Sequence, residues 1–143
     1  MRCLLDINVW LALSISAHTR HRKATDWFDA SPGNTLYFCR YTQQGTLRLL
    51  TTKTVASLYG RAPLTNRAAL SAMSVLLDHE RIQFAEEPSG LYPKWCTYAD
   101  ASTASPKLWM DAYLAAFAKV GGYSVITTDR AFKQYSGLSA IIL

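Results

Sequence analysis

The sequence predicts an α/β domain built on a central parallel sheet of four to five short strands. Three observations carry that reading. Short apolar runs alternate with longer stretches of helical periodicity, the rhythm of β–α–β units. Two of the runs, Leu4-Leu5 and Val125-Ile126-Thr127, meet an acid within two residues of their end. Ligands of open parallel sheets bind at that carboxyl edge. Half of the 143 residues are hydrophobic and 17% are charged. That composition excludes disorder and suits one domain, residues 1–143, with a sizeable core.

Taken in order, Cys3-Leu4-Leu5 reads as a buried strand ending at Asp6. Asn8 is a good N-cap for a helix beginning Val9-Trp10-Leu11. Ser14 to Thr19 is a break. His18 and His21 flank it at a spacing that zinc sites use, but no further His or Cys cluster accompanies them, so a solvated loop is the plainer reading. Arg22 to Ala30 is a helix with Ala24, Trp27 and Phe28 on one face, closed by the loop signal Ser31-Pro32-Gly33-Asn34. Leu36-Tyr37-Phe38-Cys39 is the second strand. Thr42 is placed to cap the next helix, which carries Leu47, Leu49 and Leu50. After the break at Gly60 and Pro63, Thr65 or Asn66 caps a long amphipathic helix to about His79, with Leu70, Met73, Leu76 and Leu77 inward.

Ile82-Gln83-Phe84 is a short third strand. Glu86 to Gly90 is a turn, and Tyr92 to Tyr98 a helix anchored by Trp95. Ser105-Pro106 is a favoured helix start. The body that follows, Leu108 to Ala118, is apolar almost all round and so predicted to be buried on most sides. Gly121-Gly122 ends it. Tyr123 to Thr127 is a strand, a helical turn runs through Phe132 and Tyr135, and Ala140-Ile141-Ile142 is the last strand.

Asp111 interrupts the apolar helix, where a carboxylate is costly unless it is paired or bound to metal. A carboxylate near a helix N-terminus is also favoured by the dipole. Asp6 and Asp129 each read alone as caps. Taken together, two acids at equivalent strand ends and a third on a helix facing the sheet make a carboxylate cluster. Such a cluster asks for a cation, and its oxygen ligands suit Mg²⁺ or Mn²⁺. A metal held this way serves phosphodiester cleavage, lowering the pKa of a water and neutralising charge in the transition state. The formal net charge of +5 and pI near 9.2 suggest a polyanionic partner such as RNA, or an acidic protein. No run of about 18 apolar residues predicts a membrane span. No secretory signal is apparent. The three scattered cysteines, Cys3, Cys39 and Cys96, read as buried free thiols and suit a cytoplasmic chain.

Three segments carry a resemblance. Leu4-Leu5-Asp6-Ile7-Asn8-Val9-Trp10-Leu11 resembles the opening motif of PIN-domain nucleases. Asp111-Ala112-Tyr113-Leu114-Ala115-Ala116 resembles their acidic helix, and Ile126-Thr127-Thr128-Asp129-Arg130-Ala131-Phe132 their closing strand and turn. Tyr41 to Thr51 is similar to one branch of VapC toxins, the ribonuclease halves of type II toxin–antitoxin pairs. The resemblance implies a PIN-like three-layer α/β/α fold. It implies Asp6, Asp111 and Asp129 as the catalytic, metal-holding acids, with Asn8 and Thr127 hydrogen-bonding behind them. RNA is the implied substrate, with a homodimer and a VapB-like antitoxin that occludes the site.

One departure matters. Many PIN nucleases carry a glutamate on the helix after the second strand. Here Gln43, Gln44 and Gly45 occupy that region. A glutamine offers a carbonyl oxygen but no charge, so three acids favour one tight metal over two, unless Glu86 or Glu87 substitutes. Gln43, Gln44 and Arg48 are candidate substrate contacts, Arg48 equally a surface ion-pair residue. The missing acid also motivates an alternative, a catalytically weak or silent module that binds RNA or a partner protein. A haloacid-dehalogenase-like phosphatase wants a second acid two residues after the first, where Asn8 stands. Four tryptophans and eight tyrosines are many large rings for one small domain; core packing explains most of them, and the others are candidates for a groove taking an antitoxin helix or for the dimer face.

Overall fold

Each short apolar run of the sequence becomes a strand, because alternate residues can be buried on two opposite faces. The computed structural model describes residues 1–143. Its strands are β1 (Arg2–Leu5), β2 (Thr35–Phe38), β3 (Ile82–Phe84), β4 (Ser124–Thr127) and β5 (Ala140–Ile142). They form one sheet in the order β3-β2-β1-β4-β5, every pair parallel. The helices are α1 (Ile7–Ser14), α2 (His21–Asp29), α3 (Arg40–Leu50), α4 (Lys53–Leu58), α5 (Asn66–Leu77), α6 (Leu91–Ala99) and α7 (Leu108–Gly121). A 3₁₀ turn covers Arg130–Gln134.

The strand alternation divides the core. Leu4 and Val125 face a cluster built from α6 and α7, with Leu91, Leu114 and Phe117. Cys3, Leu5, Leu36, Phe38 and Ile126 face the opposite cluster, with Trp10, Ala24 and Met73 from α1, α2 and α5. The result is the expected three-layer α/β/α arrangement with five strands. Trp10 stacks on Phe38 at 3.6 Å between ring centroids.

Several local expectations are corrected. Asp6, not Asn8, caps α1: its backbone is extended, and its Oδ1 accepts from the Ile7 N–H at 2.7 Å. Strand and helix share a junction with no loop, which puts Asn8 inside the first turn. Thr42 lies within α3 rather than before it, and its Oγ1 accepts from the Cys39 N–H at 3.0 Å. Helix α4 is a short helix that no sequence signal announced. Thr65 caps α5 by accepting from the Ala68 N–H, but Leu70 is 58% exposed. The buried stripe of α5 runs through Ala69 and Met73, and one residue further on turns about 100° away from it. The last long helix starts two residues late, because Pro106 and Lys107 form a turn in which the Leu108 N–H bonds the Ser105 carbonyl at 3.0 Å. In its first turn Trp109 and Met110 are exposed while Leu108 and Asp111 are partly buried, and full burial begins at Ala112. Gly122 (φ +70°) ends it as expected. Cys96 is exposed, while Cys3 and Cys39 are buried thiols.

Candidate active site and family

The carboxyl edge of β1 and β4 is where the chain turns out of the sheet. The Asp6 N–H still bonds the Ile126 carbonyl at 2.9 Å, so Asp6 is both the last rung of that ladder and the first cap of α1. Two residues past β4, Asp129 caps the 3₁₀ turn by accepting from the Ala131 N–H at 2.8 Å. Helix α7 packs beside β4 and brings up Asp111 from its first turn. Asp6, Asp111 and Asp129 line one cleft of about 440 Å³, together with Asn8, Tyr41, Gln44, Gly45, Arg48 and Lys107. A larger hollow of about 580 Å³, between α6 and Trp109, has Asp100 as its only acid.

A hydrogen-bond chain holds two of the acids. The Thr127 hydroxyl, fully buried, donates to Asp6 Oδ2 at 2.8 Å and accepts from the Asp129 N–H at 3.0 Å. Both Asp6 oxygens therefore have a donor. Burial still raises the Asp6 carboxyl above the usual carboxylate range; the Thr127 and Ile7 bonds oppose that, and the charges of Asp111 and Asp129 add to it. Burial likewise raises Asp111, against the pull of Lys107. Asp129 moves down, chiefly through its bond to Lys107. The Tyr41 phenol is pushed up to about 12 by burial and by the charges of Asp6 and Asp111, so it stays a neutral donor.

The structure brings Asn8, Gln44 and Arg48 to the cleft. Asn8 is exposed there and its side chain makes no hydrogen bond within the chain. Gln43 turns away, its amide oxygen accepting from Arg40. Glu86 and Glu87 do not line the cleft, and Glu87 accepts from the Tyr113 hydroxyl instead. Gly45 forms part of the wall because α1 crosses α3 closely: a Cβ there would fall 2.2 Å from Ile7 Cδ1. Lys107 is the cleft residue that sequence reading missed. Its ammonium lies 3.2 Å from Asp111 Oδ2 and 2.5 Å from Asp129 Oδ2. The i, i+4 spacing to Asp111 was a visible signal; the second partner was not.

The donor set is all oxygen, which suits a hard divalent cation. Two of the three carboxylates already share one cation, the Lys107 ammonium. In this arrangement no three acid, histidine or cysteine side chains close into a cage for an ion. The carboxylates of Asp6, Asp111 and Asp129 are the groups that would hold one.

The family model of the PIN domain matches residues 3–138. The chain belongs to the PIN-domain family. This PIN domain is 50% identical over 143 residues to ribonuclease VapC41 of Mycobacterium tuberculosis, with 98% of this chain and 97% of that one covered. It is therefore a PIN domain of the VapC type. Among solved structures it resembles VapC20 of Mycobacterium tuberculosis, a sarcin-ricin loop cleaving toxin, with a TM-score of 0.68 at 19% identity over 99% of both chains. It also resembles VapBC2 of Rickettsia felis bound to a DNA fragment from its promoter, with a TM-score of 0.69 at 11% identity over 99% of this chain and 98% of that one. At those identities the structural likeness speaks for the fold.

Proposed function

We propose that this PIN domain is an endoribonuclease, the toxin of a VapBC-type pair, and that it hydrolyses RNA phosphodiester bonds with a divalent ion, Mg²⁺ or Mn²⁺, held by Asp6, Asp111 and Asp129. The observation that carries the reading is the arrival of those three carboxylates, from β1, α7 and the end of β4, in a single cleft. PIN-domain ribonucleases of the VapC type are divalent-metal dependent in general, and the name of the half-identical relative supports RNA as substrate.

A bound divalent ion would supply an activated water and would neutralise charge building on the phosphate. The chain's own residues do the rest. Thr127 keeps Asp6 and Asp129 in register. Arg48 at the rim meets the RNA backbone, and the Gln44 amide and Tyr41 phenol offer hydrogen bonds across the cleft. The basic balance of the chain draws the polyanion in, in a salt-dependent way. The antitoxin partner is supported by the VapBC assembly among the structural neighbours, and the exposed side chains of Leu58, Leu70 and Val75 are available to it or to a second copy in a homodimer. No helix is long and apolar enough to cross a membrane; as the toxin of a VapBC-type pair the chain acts on RNA in the cytoplasm.

The test is cleavage of a structured RNA by the purified chain with Mg²⁺ or Mn²⁺ and with EDTA, against Asp6→Asn, Asp111→Asn and Asp129→Asn. Metal-dependent cleavage lost in each variant is expected. Cleavage that persists in EDTA or in the variants overturns the reading. RNA binding without any cleavage would favour the silent module, a reading motivated by a cleft lined by three acids and no fourth. For the pairing, toxicity on expression should be relieved by co-expressing a small neighbouring frame.

A further inference from the structure

We propose that Lys107 is a built-in counter-cation: its ammonium holds the Asp111–Asp129 pair together in the metal-free chain and has to be displaced before a divalent ion can bind them. The inference rests on the metal-site reading above and deepens it.

The geometry is asymmetric among the three acids. Asp6 is satisfied by neutral donors, the Ile7 N–H and the Thr127 hydroxyl. Asp129 has one neutral donor, the Ala131 N–H on Oδ1, Asp111 has none, and Lys107 bridges their Oδ2 atoms. Asp111 shows only 18% of its side chain to solvent and Asp129 29%, so water screens their repulsion incompletely. One ammonium relieves it. Lys107 sits on the Oδ2 atom of each acid, and a metal bridging those two oxygens would lie at roughly 2.1 Å from each. An ammonium nitrogen 2.5 Å and 3.2 Å from those oxygens cannot stay there at the same time.

The residue is placed to leave. Lys107 is the cap residue of α7, before the helical ladder takes hold, and its side chain is 70% exposed. It reaches the pair from outside on a flexible four-carbon stem. Arg48, the other cation lining the cleft, makes no ion pair. The latch is therefore specific to Lys107 and not a general effect of basic residues at the rim.

The experiment is a Mn²⁺ titration of the RNA-free chain, read by electron paramagnetic resonance of the free ion, for wild type, Lys107→Met, Arg48→Met and Asp111→Asn. Lys107→Met is expected to bind Mn²⁺ roughly five- to tenfold more tightly, the scale of two exposed ion pairs no longer broken on loading. Its melting temperature without metal should be lower than wild type, and its rise on adding Mn²⁺ larger. Arg48→Met removes the same charge from the same cleft and should shift affinity far less. Equal Mn²⁺ affinity in wild type and Lys107→Met, or equal gains in Lys107→Met and Arg48→Met, overturns the latch while leaving the metal site standing. No Mn²⁺ binding in either wild type or Lys107→Met, or undiminished binding in Asp111→Asn, overturns the metal-site reading and the latch with it.

Discussion

The Thr127 hydroxyl donates to Asp6 Oδ2 at 2.8 Å and takes the Asp129 N–H at 3.0 Å, so one buried oxygen ties the end of β1 to the turn after β4. Thr127→Val keeps the shape and removes both bonds. It leaves an acid oxygen and an amide without their partner in a dry place, at a cost of about 1–3 kcal/mol. Urea unfolding of the metal-free chain measures it. Turnover should fall about tenfold or more, the usual penalty for losing a group that orients a metal-holding side chain.

The pH response of the metal-free chain follows from Asp6. Burial raises its carboxyl, so the folded chain still holds the proton at a pH where the unfolded chain has released it. This group's contribution is greatest below the ordinary carboxylate range and is lost as pH rises through the raised value. Asp129, held down by Lys107, runs the other way and is common to both proteins in a comparison with Asp6→Asn. The stability of wild type relative to Asp6→Asn should therefore decline as pH rises from the ordinary carboxylate range, about pH 4, through the raised value. Urea midpoints across that range read it, and a flat difference would mean that the Asp6 carboxyl is not raised.

Gly45 and Ile7 set how closely α3 approaches α1. An added Cβ meets Ile7 Cδ1 at 2.2 Å and Cγ1 at 2.8 Å, an overpacking of about 1–3 kcal/mol that outweighs the roughly 1 kcal/mol helix gain of alanine over glycine. Gly45→Ala should destabilise wild type. In an Ile7→Ala background the clash is gone and the same substitution should stabilise. Thermal melts of the four proteins give the sign in each background.

Arg48 lines the cleft without an ion pair to occupy it. Arg48→Met should raise KM for RNA several-fold with kcat nearly kept, and should lower the slope of log binding against log salt by about one. A change in kcat alone would place Arg48 at the reacting phosphate instead of on the backbone beside it.

Much of this molecule was legible along the chain. The apolar runs at Cys3–Leu5, Leu36–Cys39, Ile82–Phe84, Tyr123–Thr127 and Ala140–Ile142 mark the five strands within a residue or so. Short continuous apolar runs and the turn residues that bound them are local properties, and local properties survive in a linear text. Where the local signals competed, the reading slipped. Asp6 and Asn8 are both capping residues, and only the docking of β1 on β4 selects Asp6. Ser105-Pro106 has the composition of a helix start, yet the ladder begins at Leu108.

By itself, then, the sequence determined a parallel α/β sheet, its rhythm, and three aspartates positioned where strand ends and a facing helix can bring them together. Tertiary structure alone decided that Gln44 reaches the cleft, that Gly45 must leave room for Ile7, and that Asp129 comes within reach of the Lys107–Asp111 pair. Those contacts depend on where α7 docks against β4 and how α3 crosses α1. Such distances are set by the packing of whole elements, and no spacing between neighbouring residues records them.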